Sequence, residues 1–183
     1  MSSVNRTIAC IGSRATPAPI LSWMEETAAK LVSAGYAITS GNAPGADQAW
    51  ARGANTVDPT RVTLFLPWAN FEPQAVHPKN RICTFRPSDH QRYAELALAT
   101  RSAAAQLGLL ARNAMIVDGV HCVLGYMGAG KSGTRHAFGI AQLQKIITMN
   151  VGDALVRAGI EERLAKGEDV RGPVFDTGKG KKW

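Results

Sequence analysis

Short apolar runs alternate with segments of helical period along most of the chain. Thr7-Ile8-Ala9-Cys10-Ile11 is apolar and stops at Gly12-Ser13-Arg14, which predicts a first strand. Thr16-Pro17 reads as a helix start, and Ile20, Trp23, Met24, Ala28, Leu31 and Val32 then recur at helical spacing up to Gly35. Tyr36-Ala37-Ile38-Thr39 predicts a second strand, broken at Ser40-Gly41 and followed by a short helix from Asp47 to Gly53. Arg61 to Leu66 predicts a third strand closed by Pro67. Trp68 to Pro87 has mixed composition with Pro73, Pro78 and Pro87, and reads as a long loop of functional character. Asp89 to Leu107 is alanine-rich and helical in pattern, and Leu109 to Val117 adds another helical turn or two. His121-Cys122-Val123-Leu124 predicts a fourth strand, Thr134 to Leu143 a helix, Lys145 to Met149 a fifth strand and Asp153 to Lys166 a last helix.

Strands that alternate with helices argue for an α/β fold, a Rossmann-like, doubly wound and mainly parallel sheet with helices on both faces. Ligands of such sheets bind beyond the carboxyl ends of the strands. Gly12-Ser13-Arg14, Ser40-Gly41 and the segment 125–134 all follow predicted strands, so the fold would gather them on that one edge. The expected organisation is one domain over residues 1–166 and a basic, flexible tail over 167–183.

Composition narrows the function classes. No apolar run approaches the roughly 20 residues of a membrane span. Met1 to Arg6 is polar and lacks the apolar core of a signal peptide, so a cytoplasmic protein without a membrane partner is expected. Cys10, Cys83 and Cys122 are odd in number and far apart, and Cys10 and Cys122 lie inside apolar runs as small buried hydrophobes. His77, His90, His121 and His136 show no zinc-like spacing with them, so neither a metal nor a cofactor is expected. The net charge of +7 suits a polyanionic partner, although Lys179, Lys181 and Lys182 place part of it in the tail.

Four segments carry candidate chemistry. In the first, Gly12 permits close backbone approach, Ser13 offers a hydroxyl and Arg14 a fork suited to phosphate. The second, Ser40-Gly41-Asn42-Ala43-Pro44-Gly45-Ala46-Asp47, is a glycine-bearing turn that opens a helix and presents backbone N–H groups to an anion. There Asp47 reads either as a helix N-cap or as a carboxylate for a ribose hydroxyl. The third is Arg112-Asn113, placed to reach across the same edge.

The fourth runs from Gly125 to Thr134. Residues 125–132 match the P-loop pattern G-x-x-x-x-G-K-S, with Gly125, Gly130, Lys131 and Ser132 in the defining places. No later strand ends in the aspartate that would hold Mg²⁺, because Lys145 to Met149 leads into Asn150. Gly133 is also a poor residue for a helix already under way. The segment therefore reads better as Ser132-Gly133-Thr134 opening a helix and offering hydroxyls and N–H groups to phosphate.

The ordered set of these segments resembles the SLOG superfamily. That group joins the DNA-processing protein DprA (Smf) to the LOG cytokinin-activating phosphoribohydrolases. The likeness is strongest to its small YpsA-related branch of bacteria and phages, to which Leu66-Pro67-Trp68 is also similar. It spans about residues 6 to 150. The resemblance implies a Rossmann-like fold, a nucleotide or nucleic-acid ligand and a homo-oligomer, a dimer. Two positions depart from the pattern. Ala137 stands where LOG enzymes carry a catalytic glutamate, and Asn42 where a glycine is common.

Three functional readings follow, in this order. The first is a sensor or carrier that binds a nucleotide-derived small molecule through Gly12, Ser13, Arg14, Ser40, Gly41, Gly45, Ala46, Asp47, Arg112, Asn113, Gly125, Gly130, Ser132, Gly133 and Thr134. The second is a nucleotide-processing enzyme, an N-glycosidic hydrolase or transferase, with Asp47 and Arg112 as catalytic groups and Arg14 as a further charge stabiliser. The third is DprA-like binding of single-stranded nucleic acid, with Trp68, Phe71, Phe85 and Trp183 as stacking groups; as core or loop anchors, these aromatics have a simpler explanation.

Overall fold

The computed structural model describes residues 6–84, 107–129 and 132–172. Six strands form one sheet: β1 (Thr7–Gly12), β2 (Ala37–Ser40), β3 (Val62–Leu66), β4 (Arg81–Thr84), β5 (Cys122–Tyr126) and β6 (Thr148–Asn150). Their order is β4-β3-β2-β1-β5-β6, and every neighbouring pair is parallel. The described helices are α1 (Ala18–Ser33), α2 (Ala46–Asn55), α3 (Leu107–Val117), α4 (Gly133–Leu143) and α5 (Ala154–Lys166). The strand order reverses between β1 and β5, the place where such sheets open a crevice at their carboxyl ends.

The central strands are buried on both faces, which is why they read as unbroken apolar runs. Ile8 and Cys10 of β1 face the layer of α1, α2 and α5, with Met24, Leu31, Trp50 and Ile160 in its core. Ala9 and Ile11 face the layer of α3 and α4, with Ile116, Val117, Phe138 and Ile140. The full burial of the Cys10 and Cys122 thiols suits small apolar packing groups; burial pushes Cys10 well above the ordinary thiol value and Cys122 up to about 12. Among the described residues no helix is long and apolar enough to cross a membrane.

Several local expectations are corrected. The segment 68–87 is not one loop, because it holds a 3₁₀ turn at Pro73–Ala75 and the edge strand β4. Arg81, Ile82 and Thr84 are exposed, so β4 lacks the apolar signature that marked its neighbours. The last strand begins at Thr148 rather than Lys145, since Lys145 takes a left-handed φ of 58° as α4 ends. Thr16 does not cap α1; its hydroxyl donates to the Ser13 carbonyl at 2.6 Å. Beyond α5 the chain stays packed through Gly172. Val170 is fully buried, its N–H donates to the Tyr36 hydroxyl at 3.3 Å, and His121 Nε2 meets Asp169 at 2.9 Å. The helix read at 89–107 lies almost wholly outside the described residues, as do Phe85, Gly130, Lys131, the three tail lysines and Trp183.

Candidate functional site

Asp47 organises the carboxyl edge. It sits in the first turn of α2 but does not cap that helix, whose N-cap is Gly45. Its carboxylate accepts from the Gly12 N–H at 3.1 Å and the Ala43 N–H at 3.3 Å, and Gly41 supplies a further backbone hydrogen bond. Asp47 thus ties the end of β1 to the turn after β2. Burial pushes its carboxyl above the ordinary value, against the pull of Arg112 and the three N–H groups.

The two glycine motifs interlock around this anchor. A Cβ on Gly12 would lie 2.4 Å from Ala46 Cβ, and one on Gly45 would lie 2.7 Å from the Arg14 carbonyl oxygen. Gly45 also holds φ at 87°, a conformation that favours glycine. Asn42 adopts a φ of 59°, a left-handed conformation that asparagine takes more readily than most non-glycine residues. Its Nδ2 donates to the Phe71 and Glu72 carbonyls at 3.2 and 3.0 Å. The turn after β2 therefore fixes the loop after β3.

Arg112, on α3, reaches this cluster from the opposite face of the sheet. Its Nη1 donates to the Gly41 carbonyl at 2.8 Å, and its Nη2 to Asn113 Oδ1 at 3.3 Å. Its guanidinium carbon lies 5.8 Å from the Phe71 ring centroid. Arg112 is 7% exposed, and among the described residues its Nε has no hydrogen-bond partner. Burial pushes the guanidinium below its ordinary value; Asp47 opposes this and Arg14 adds to it. Arg14 itself is exposed, so two like charges converge here, one buried and one facing solvent. Asn113 completes the link, its Nδ2 donating to the Gly133 carbonyl at 3.2 Å.

The fourth motif divides. Ser132 caps α4, its hydroxyl accepting from the Arg135 N–H at 3.2 Å, and the helix begins at Gly133 as a phosphate-binding N-terminus requires. Gly125 lies inside β5 instead, where a Cβ would meet Phe138 at 2.9 Å and Ile11 at 3.0 Å, so its role is packing. Asn150 fastens the next loop by accepting from the Met127 N–H at 3.1 Å.

The edge thus brings together Gly12, Ser13, Arg14, Gly41, Gly45, Ala46, Asp47, Arg112, Asn113, Ser132, Gly133 and Thr134. Ser40 sits beneath it, fully buried, with its hydroxyl donating to the Cys10 carbonyl at 2.7 Å. Sequence reasoning gave no role to Asn42 beyond its departure from the family pattern, and left His136 out, whose Nδ1 lies 3.4 Å from Asn113 Nδ2. A cavity lined by His121, Lys145 and Arg171 lies at the amino ends of β5 and β6, away from every one of these loops. The candidate site is the carboxyl edge, where backbone N–H groups lie near the Arg14 and Arg112 guanidiniums.

The family model for DNA recombination-mediator protein A matches residues 1–155. No curated protein matches the chain. Among solved structures, one similar protein is DNA processing protein A from Helicobacter pylori, described for its single-stranded DNA binding mode. It shares 17% identity at a TM-score of 0.61, over 89% of this chain and 73% of that one. DNA processing protein A from Streptococcus pneumoniae shares 16% identity at a TM-score of 0.42, over 90% of this chain and 62% of that one.

Proposed function

The chain belongs to the DNA recombination-mediator protein A family, and from that premise we propose that it binds single-stranded DNA along the carboxyl edge of its sheet. The observation that carries this reading is the guanidinium pair. Arg14 faces solvent, and Arg112 is buried near it, held by Gly41 and Asn113, with its Nε enclosed and unpaired among the described residues. The planar fork of exposed Arg14 suits a phosphodiester oxygen, and the buried Arg112 charge adds to the positive field there. The α4 N-terminus adds N–H groups that favour an anion. Asp47 acts as the positioning group of the cluster, because its oxygens are engaged by backbone donors.

Family membership and the Helicobacter pylori relative move the balance from a nucleotide-derived small molecule to single-stranded nucleic acid. The small-ligand reading keeps one supporting observation: the same guanidinium pair and helix terminus would hold the phosphate of a mononucleotide. Turnover of the LOG type has less support, since Ala137 is 1% exposed and packed against the core.

Competition separates the two binding readings. A labelled oligo-dT is bound first, then challenged with unlabelled single strand, duplex of the same length, and nucleoside monophosphates. The proposal expects release by the single strand alone at stoichiometric levels. Release by a monophosphate at low micromolar concentration would favour the small-ligand reading instead.

A further inference from the structure

We infer that Trp68 is a nucleobase-stacking ledge: a base of the bound strand lies on its exposed indole while a neighbouring phosphate sits at Arg14, in the field of the buried Arg112. This inference rests on the single-stranded DNA reading above. Trp68 follows the end of β3 by two residues, on the same edge as the phosphate cluster. Trp68 is 55% exposed, although tryptophan is a residue that folding usually buries.

A lone exposed aromatic would need no explanation. This one is held in place. Its ring packs edge-on against Phe71, with centroids 5.1 Å apart and an interplanar angle of 88°. Phe71 is 6% exposed, its N–H donates to the Trp68 carbonyl at 3.2 Å, and the Arg112 guanidinium carbon lies 5.8 Å from its ring centroid. Asn42 clamps the Phe71 and Glu72 carbonyls, and Glu72 holds a left-handed φ of 48°. Trp68, Phe71 and Arg112 therefore form a run of contacts from an exposed ring to the buried guanidinium. Stacking on a preset indole costs little ordering and tolerates any base, as a sequence-independent binder requires.

Oligonucleotides with and without bases isolate this contribution. Wild type, Trp68→Ala, Trp68→Phe and Arg14→Ala are titrated with oligo-dT and with an abasic oligonucleotide of equal length. Trp68→Ala weakens oligo-dT binding about tenfold, the scale of one base–aromatic stack, and leaves abasic binding unchanged. Trp68→Phe retains most of the affinity, and Arg14→Ala weakens both ligands. Trp68→Ala also loses the Phe71 contact and should melt a few degrees below the wild type, so its unchanged abasic binding is the control for a folded phosphate site. Equal weakening of both ligands by Trp68→Ala, or of neither, overturns the stacking role while leaving phosphate binding intact. Failure of the wild type to bind either ligand overturns the single-stranded DNA reading and the ledge with it.

Discussion

Replacing Asp47 by alanine should unfasten the whole edge. The substitution removes the acceptor of the Gly12 and Ala43 N–H groups and the counter-charge of Arg112. Hydrogen bonds to a charged group contribute about 1.5–3 kcal/mol each. Stranding one partner of a buried charge pair costs about 3–5 kcal/mol. These contributions overlap, because they share one carboxylate, and relief of its burial offsets part of them. The expected net loss is about 3–4 kcal/mol, a large share of the roughly 5–15 kcal/mol that stabilises a domain. At about 2–4 °C per kcal/mol for a chain of this size, the melting temperature falls by about 10 °C. Asp47→Asn keeps one acceptor oxygen and should lose about half as much. Urea denaturation followed by circular dichroism, with the slope unchanged between variants, measures both. A loss below about 1 kcal/mol for Asp47→Ala would refute the anchoring role assigned here.

Gly41→Ala adds no charge and removes none, yet its Cβ would lie 2.7 Å from Arg112 Nη1 and 2.8 Å from Asp47 Oδ2. It should cost about 1–3 kcal/mol and weaken single-strand binding by shifting Arg112, measured by urea denaturation and anisotropy. Ser132→Ala removes the α4 cap and should cost about 1 kcal/mol in the same denaturation assay. Asp169 gives a pH test. Burial would raise its carboxyl, but hydrogen bonds from Arg171 and His121 outweigh this and hold it well below the ordinary 3.8. A lowered folded value means that its stabilising contribution is present above the ordinary value and is lost as pH falls through the folded one. The melting-temperature gap between wild type and Asp169→Asn should therefore hold steady near neutral pH and close in acid. A gap that widens in acid would contradict the pairing.

What was legible in the sequence follows from how each element is buried. β1 and β5 have neighbours on both faces, so Ile8-Ala9-Cys10-Ile11 and Cys122-Val123-Leu124 are apolar throughout and announce themselves. β4 lies on an edge with three of its four residues exposed, and nothing in Arg81-Ile82-Cys83-Thr84 distinguishes it from a loop. The glycines at 12, 41 and 45 were readable as backbone open to a ligand or an anion; in the fold each has a neighbour within 3 Å of where its Cβ would stand, so packing alone requires glycine there. Asp47 was readable as a carboxylate at a helix start, but not as an acceptor for another strand's N–H, because Gly12 is 35 residues away. The Trp68–Phe71–Arg112 run of contacts was invisible for the same reason: it joins the loop after β3 to a helix some 40 residues later, and only folding makes them neighbours.

If Arg14 holds a phosphate of a single strand at the carboxyl edge, with the buried Arg112 charge near it, binding must depend on salt. Each phosphate contact contributes about 0.7 to the slope of log K against log salt for a single strand. Oligo-dT affinity should fall steeply as salt rises, and Arg14→Ala should lower that slope by about 0.7, one contact's worth. A slope near zero for the wild type, or one unchanged by Arg14→Ala, would rule out a phosphate contact at Arg14.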